Sequence, residues 1–187
     1  MRIGIDVDGV LADQVRAVLA LMNALYPDTR HVYNDVTHWG GLQELYGISE
    51  TTLLRHMETV WAQHAVGWLI DPHELQGLIR RLHRRIHTVH IISKRTPKSW
   101  PYVMGWLCAV PLGVDSISLL STGSKYDFPV DIMLDDNPKL AAEAVLHNKH
   151  LFLVDQPWNQ EIVDGEHVTR AQSVGEGLDM LSGESCE

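Results

Sequence analysis

The chain has 187 residues, of which 45% are hydrophobic and 21% charged, the balance of one globular domain with a substantial core. A formal net charge of −9 argues against an extended nucleic-acid surface, although it permits a single nucleotide held by a metal and a few cations. Two cysteines exclude a disulfide framework, and no apolar run is long enough to cross a membrane. We therefore expect a cytoplasmic protein with neither a membrane anchor nor a signal peptide, because an apolar strand begins at residue 2.

The first strand, residues 2–7, ends in two aspartates. Alternation along the strand places Asp6 and Asp8 on the same side, and Gly9 allows the backbone to turn away directly afterwards. At the carboxyl end of a strand, such a pair can share a cation, or one carboxylate can attack an electrophile while the other moves a proton. The alternative is an acidic loop that follows an edge strand.

The next segment, residues 14–86, contains no strand pattern. Apolar residues recur at helical spacing and predict three helices, at residues 13–25, 49–64 and 72–85. Between the first two helices lies an irregular stretch rich in aromatic residues. We interpret residues 14–86 as a helical cap inserted between two segments of a core domain, residues 1–13 and 87–187. Trp39, beside two glycines in the irregular stretch, is the candidate for stacking on a nucleobase.

From residue 88 onward, strand patterns alternate with helix patterns. The predicted strands are 88–93, 116–120, 131–134 and 150–154, and the predicted helices are 97–109 and 139–147. This alternation is typical of a three-layer, Rossmann-like α/β domain with a parallel sheet. Ligands of such sheets bind at the carboxyl ends of the strands. That rule gathers five residues in one cleft: Asp6, Asp8, Ser93, Asp135 and Asp136.

A second acidic strand end follows the apolar run of residues 130–134. Asp135 and Asp136 are adjacent there, and Pro138 can open the next helix. Adjacent carboxylates repel each other and resist ionisation without a counter-charge, which Mg²⁺ supplies through oxygen ligands. A helix N-terminus decorated with acids is the alternative. Two such strand ends in one small chain favour a shared metal held by Asp6, Asp8, Asp135 and Asp136.

These residues resemble, in order, the four motifs of the haloacid-dehalogenase-like phosphatases. The matching segments are Asp6-Val-Asp8-Gly-Val-Leu, Ser93-Lys94-Arg95, the lysine at 125, and Asp135-Asp136. Within that superfamily, residues 8–13 and 154–159 resemble the 5'(3')-deoxyribonucleotidase branch, which also carries a helical cap after the first motif. The resemblance covers about residues 1–13 and 88–155, and it implies a haloacid-dehalogenase-like core.

The resemblance also implies roles for the motif residues. Asp6 would be the nucleophile that forms an aspartyl-phosphate. Asp8 would protonate the leaving alkoxide and then activate water, while its backbone carbonyl binds Mg²⁺. Ser93 would donate a hydrogen bond to the phosphoryl oxygens. Asp136 would bind the metal directly, with Asp135 beside it.

The basic residues of the motifs leave alternatives open. The resemblance implies that Lys125 neutralises the phosphoryl oxygens, but it lies in a turn-like stretch, and Lys94 and Lys98 are alternatives for that role. Lys94 and Arg95 are candidates for substrate binding. Arg95 either binds phosphate or pairs with the acidic rim of the cleft, and we favour the pairing.

The expected function is a Mg²⁺-dependent phosphomonoesterase that acts on a small phosphate ester, with a nucleoside monophosphate as the preferred substrate class. Two alternatives remain. One keeps the chemistry and changes the substrate to a sugar phosphate, another small phosphate or a nucleic-acid 3'-phosphate. The other is a catalytically silent binding module on the same fold.

Overall fold

The computed structural model describes residues 1–183 and contains one six-stranded parallel sheet of order β3-β2-β1-β4-β5-β6. The strands are β1 (Arg2–Ile5), β2 (Thr88–Lys94), β3 (Ser116–Leu120), β4 (Ile132–Asp135), β5 (His150–Val154) and β6 (Val168–Ala171). β1 pairs with β2 on one side and β4 on the other, so its end lies in the middle of the sheet. The predicted Rossmann-like α/β class is confirmed.

Seven α-helices accompany the sheet in the described residues. They are α1 (Gln14–Leu25), α2 (Gly41–Tyr46), α3 (Glu50–Ala62), α4 (Pro72–Arg84), α5 (Trp100–Cys108), α6 (Lys139–Leu146) and α7 (Val174–Ser182). Capping side chains fix the starts of three of the four α-helices before β2: Asp13 accepts from the backbone of α1, and Ser49 and Asp71 do the same for α3 and α4.

Apolar side chains cover both faces of the sheet. Ile3 and Ile5 of β1 belong to a buried cluster that includes Leu78 of α4 and Leu178 of α7. A second buried cluster joins the other face to α6. Helices therefore lie on both sides of the sheet, which gives the three layers expected from the sequence.

Helix α4 contacts β2 and α7 and buries Leu75, Leu78 and Leu82 in the core. This helix therefore belongs to the layer that covers the sheet, although the sequence placed it in the cap of residues 14–86. We propose that only residues 14–70 of the cap roof the site.

The start of the cap is tied to its end by backbone hydrogen bonds. The N–H of Leu69 donates to Leu11 O at 2.8 Å, and the N–H of Asp13 donates to Gly67 O at 2.9 Å. The two chain segments that connect the cap to the core thus run side by side, close to Asp6 and Asp8. Among the helices of residues 1–183, none is long and apolar enough to span a membrane.

Candidate active site

Asp6 and Asp8 lie in the turn that follows β1. The N–H of Asp6 donates to Leu134 O of β4 at 2.9 Å, so the sheet fixes its backbone. Gly9 has φ of +74°, and a Cβ on it would lie 2.1 Å from Oδ2 of Asp136. Glycine is needed here both for the left-handed turn and for the close approach of the second acidic strand end.

Lys125 lies between the two acidic strand ends. Its Nζ is 2.8 Å from Oδ2 of Asp6 and 2.6 Å from Oδ2 of Asp135, and all three side chains are buried. Burial by itself lowers the pKa of Lys125, but the two carboxylates outweigh it and hold that pKa above its ordinary value. The structure thus places the Lys125 ammonium, of the three candidate lysines, against the predicted nucleophile.

The other two candidate lysines, Lys94 and Lys98, are exposed, in contrast to the buried Lys125. Nζ of Lys94 donates to Gly123 O at 3.0 Å, and its exposed side chain lines the cavity above the carboxylates. Lys98 is exposed and lines a separate shallow pocket beside α3. Within residues 1–183, Lys125 is therefore the lysine that forms an ion pair with Asp6.

Asp136 is held by two buried side chains from the segment after β5. The indole N–H of Trp158 donates to its Oδ2 at 3.0 Å, and the amide of Asn159 donates to its backbone oxygen at 2.9 Å. Burial, followed by repulsion from Asp135 and Asp6, raises the pKa of Asp136 well above its ordinary value. Burial likewise raises the pKa of Asp135 to about 7. Sequence analysis assigned no role to Trp158 or Asn159, although both lie in the matched segment 154–159.

Three carboxylates could hold a metal ion. Asp6, Asp135 and Asp136 each offer an oxygen, and these oxygens lie within 4.8 Å of one another. Oδ1 of Asp6 is buried and has no hydrogen-bond partner among the described residues. Three buried carboxylates face one ammonium, so a hard divalent cation such as Mg²⁺ fits both the oxygen donors and the uncompensated charge. The Asp8 carboxylate lies outside this group of the described residues, and the expected contact of the Asp8 backbone carbonyl with the metal stays a prediction.

Arg95 forms an ion pair with the carboxylate of Asp8. Its guanidinium donates to Oδ2 of Asp8 and to the hydroxyl of Ser93 at 3.2 and 3.3 Å, and it lies over the ring of Trp61 at 4.9 Å. Burial raises the pKa of Asp8, and the charge of Arg95 opposes that rise. Arg95 and Asp8 thus form an ion pair in the structure, and whether Arg95 pairs with the acidic rim or binds phosphate stays a prediction. Ser93 is buried and is not among the described residues that line the cavity; its hydroxyl contacts the site by accepting from Arg95.

A cavity of about 370 Å³ opens above the carboxylates. Its floor includes Asp6, Asp8, Lys125 and Asp136 from the core. The cap supplies a wall with many apolar residues: Val15, Val36, Trp39, Leu42, Leu53, Leu54, Met57 and Trp61. Trp39, the predicted stacking residue, lines this wall with 43% of its surface exposed. The cap and both acidic strand ends thus enclose one space.

Two side-chain contacts tie the cap to the core around this cavity. The hydroxyl of Tyr33 donates to Oε1 of Gln156, whose amide donates in turn to Gly9 O at 2.7 Å. On the other side, Thr96 donates to Glu58 of α3 at 2.6 Å. Gln156 lies in the matched segment 154–159, but its partners Tyr33 and Gly9 are far away in sequence, so the sequence did not predict these contacts.

No family model matches the sequence, and no curated protein does. Solved structures are similar in fold. One is a haloacid-dehalogenase-like family hydrolase from Xanthomonas campestris, with 14% identity over 99% of this chain and 98% of that chain and a TM-score of 0.57. Another is a predicted phosphoglycolate phosphatase from Haemophilus somnus, with 11% identity over 98% of this chain and 97% of that chain and a TM-score of 0.63. The Mycobacterium tuberculosis protein named Protein Tyrosine Kinase A is also similar, with 14% identity over 97% of each chain and a TM-score of 0.64. At such identities the likeness shows the fold alone, and the activities named differ. The chain has the haloacid-dehalogenase-like fold.

Proposed function

We propose that this protein is a Mg²⁺-dependent phosphomonoesterase that works through an aspartyl-phosphate on Asp6. The observation that carries the proposal is the position of the Lys125 ammonium, 2.8 Å from Asp6 and 2.6 Å from Asp135, on the floor of a roofed cavity. A phosphate dianion repels a carboxylate nucleophile, so attack needs fixed positive charge beside that nucleophile.

The proposed reaction has two steps. First, a carboxylate oxygen of Asp6 attacks phosphorus, the bond from phosphorus to the alcohol oxygen breaks, and Asp8 gives its proton to that oxygen. Then Asp8 takes a proton from a water molecule whose oxygen attacks phosphorus. The aspartyl-phosphate bond breaks, inorganic phosphate leaves, and the Asp6 carboxylate is restored.

The other site residues stabilise the phosphoryl oxygens. Lys125 contributes an ammonium, and Ser93 and Arg95 contribute hydrogen-bond donors. Asp6, Asp135 and Asp136 would hold Mg²⁺, with the Asp8 backbone carbonyl as a further predicted ligand, and the bound ion would neutralise phosphoryl charge. Arg95 pairs with Asp8 in the structure, so we propose that it turns to the phosphate when substrate enters.

For the substrate we propose a nucleoside monophosphate, as the deoxyribonucleotidase resemblance implies. The exposed indole of Trp39 in the cavity wall supports a flat group beyond the phosphate. Sugar phosphates keep the same chemistry and remain the alternative. A polynucleotide 3'-phosphate is disfavoured by a roofed cavity of about 370 Å³ and by the net charge of −9.

The test is hydrolysis of a panel containing an aryl phosphate, deoxyribonucleoside monophosphates and sugar phosphates. We expect turnover with Mg²⁺ that stops with a chelator and disappears in Asp6→Asn, while Asp28→Asn, an exposed change in the cap, keeps full activity. Turnover that resists the chelator, or an active Asp6→Asn protein, would contradict the mechanism. No turnover on any ester despite Mg²⁺ binding would favour the silent binding module.

A further inference from the structure

Gln14 is the first residue of α1, directly after the capping residue Asp13. Its side chain is 6% exposed, and the residue lines the cavity above Asp6 and Asp8. Asp13 accepts a hydrogen bond from the Arg16 backbone and forms an ion pair with its guanidinium at 2.8 Å, so the first turn of α1 is fixed. The position of Gln14 at the cavity therefore follows from a rigid part of the fold.

The amide of Gln14 forms no hydrogen bond with any of residues 1–183. The amide atoms of Gln14 are not among the fully buried atoms that lack a partner, so they are accessible from the cavity and free to bind a molecule that enters it. Val15, Val36 and Leu53, which line the same cavity, offer no side-chain partner. A bound molecule with a hydrogen-bond donor and acceptor would supply the missing bonds.

The charges of the cavity wall indicate what kind of molecule this is. Among the described cap residues that line the cavity there is neither lysine nor arginine, whereas Glu50 and Glu58 are both present. The positive charges of the cavity, Lys94, Arg95 and Lys125, all come from the core. A substrate with a second anionic group far from the reacting phosphate would find no counter-charge on the cap.

We propose that Gln14 is a specificity-determining residue whose amide binds an uncharged donor–acceptor edge of the substrate, on the part beyond the reacting phosphate. This inference rests on the proposed phosphomonoesterase function and deepens it. A carboxamide both donates and accepts, so it complements the polar edge of a nucleobase or a cyclic amide. A site built to hydrogen-bond such an edge discriminates strongly against a substrate that lacks it.

The experiment compares deoxyribonucleoside 5'-monophosphates with deoxyribose 5-phosphate, which lacks the base. We expect the wild-type protein to prefer at least one nucleotide by tenfold or more in kcat/KM. Gln14→Leu, which keeps the size of the side chain, should lose about tenfold to a hundredfold on that nucleotide, mainly in KM, and much less on deoxyribose 5-phosphate. The control Gln63→Leu removes an exposed amide outside the cavity and should keep the preference.

The outcomes separate this inference from the proposed function. Equal losses of Gln14→Leu on both substrates, or no wild-type preference for any nucleotide, would overturn the role of Gln14 and leave the phosphatase reaction standing. If the wild type hydrolyses no ester, the proposed function fails. The inference is then decided by calorimetry with deoxyribonucleosides, and equal binding to wild type and Gln14→Leu, or no binding at all, overturns it.

Discussion

The indole N–H of Trp158 donates a hydrogen bond of 3.0 Å to Oδ2 of Asp136, and both side chains are buried. The bond fixes the orientation of a carboxylate that lies with Asp6 and Asp135 in the candidate metal group. Partners behind a metal ligand typically contribute tenfold to a hundredfold in metal affinity. Trp158 is therefore expected to act on the metal through Asp136.

The first prediction is that Trp158→Phe weakens Mg²⁺ binding by about tenfold to a hundredfold. Calorimetric titration with Mg²⁺ and the Mg²⁺-dependent rise in Tm both measure this without relying on turnover. Trp100→Phe is the control, because the indole nitrogen of Trp100 is buried without a hydrogen-bond partner in the described residues. Equal Mg²⁺ affinity in the two variants would show that Trp158 only fills space.

The second prediction concerns Lys125, which separates the carboxylates of Asp6 and Asp135. Lys125→Met leaves these buried charges unpaired, and breaking a buried pair costs about 3–5 kcal/mol. We expect a clear fall in Tm without Mg²⁺ and a loss of at least about a hundredfold in kcat at saturating Mg²⁺, comparable to removing a transition-state donor. Lys94→Met is the comparison, since Lys94 contacts the Gly123 carbonyl. Similar losses in both variants would leave the identity of the phosphate lysine open.

The third prediction separates two roles of Gly9. A Cβ there would lie 2.1 Å from Oδ2 of Asp136, whereas Gly113, with a similar φ of +80°, has no atom within 4 Å of such a Cβ. Both alanine variants should lose about 1–2 kcal/mol through left-handed backbone strain. Only Gly9→Ala should also displace Asp136 and abolish Mg²⁺-dependent hydrolysis. Denaturant unfolding and activity assays measure the two effects, and an active Gly9→Ala enzyme would contradict the close approach.

The fourth prediction tests Trp39, whose side chain is 43% exposed in the cavity wall. Loss of a base–aromatic stack costs about 1–3 kcal/mol, so Trp39→Ala should lower kcat/KM on a deoxyribonucleoside monophosphate by about fivefold to 150-fold. A small aryl phosphate should be affected much less. Similar losses on both substrates would mean that Trp39 supports the fold of the cap.

The acidic half of the site was predictable because it depends on strand ends. Parallel strands bring their carboxyl ends to one side of a sheet, so the alternation of strands and helices predicted that the two acidic strand ends share a cleft. The direct contact of these strand ends depends on the pairing of β1 with β4, which the sequence did not predict. The basic half was not predictable in the same way. Lys125 lies in a loop between β3 and β4, and no periodicity determines which of several loop lysines turns inward.

The sequence did not predict three elements: α2, which lies in the stretch expected to be irregular, β6 and α7. β6 is a four-residue edge strand whose central Thr169 and Arg170 are polar, and α7 contains two glycines, which lower its helix propensity. The sequence also did not predict that Gln14 is buried and lines the cavity. Its sequence position marks only the start of a helix, and its unpaired amide becomes visible when the cap is folded over the core.

The last prediction concerns the amino ends of the strands, on the side of the sheet away from the candidate site. There Arg2, at the start of β1, forms an ion pair with Asp131 just before β4. The guanidinium lies 2.7 Å from Oδ1 of Asp131, and the Arg2 N–H donates to Oδ2 at 2.8 Å. Hydrogen bonding to Arg2 lowers the pKa of Asp131 from 3.8 to about 2. A carboxyl whose folded pKa is depressed stabilises the protein above its unfolded pKa, and this contribution disappears as the pH falls through the folded value.

The side chains of Arg2 and Asp131 are each more than a third exposed, so solvent screening limits the cost of Asp131→Asn near neutral pH to about 0.5–1 kcal/mol. We expect the stability difference between wild type and Asp131→Asn, measured by urea unfolding, to be constant from pH 7 to about pH 5 and to shrink between about pH 4 and pH 2. Mg²⁺-dependent hydrolysis should be unchanged, because the pair lies at the amino ends of the strands. A stability difference that persists to pH 2 would show that Asp131 acts through packing and not through its charge.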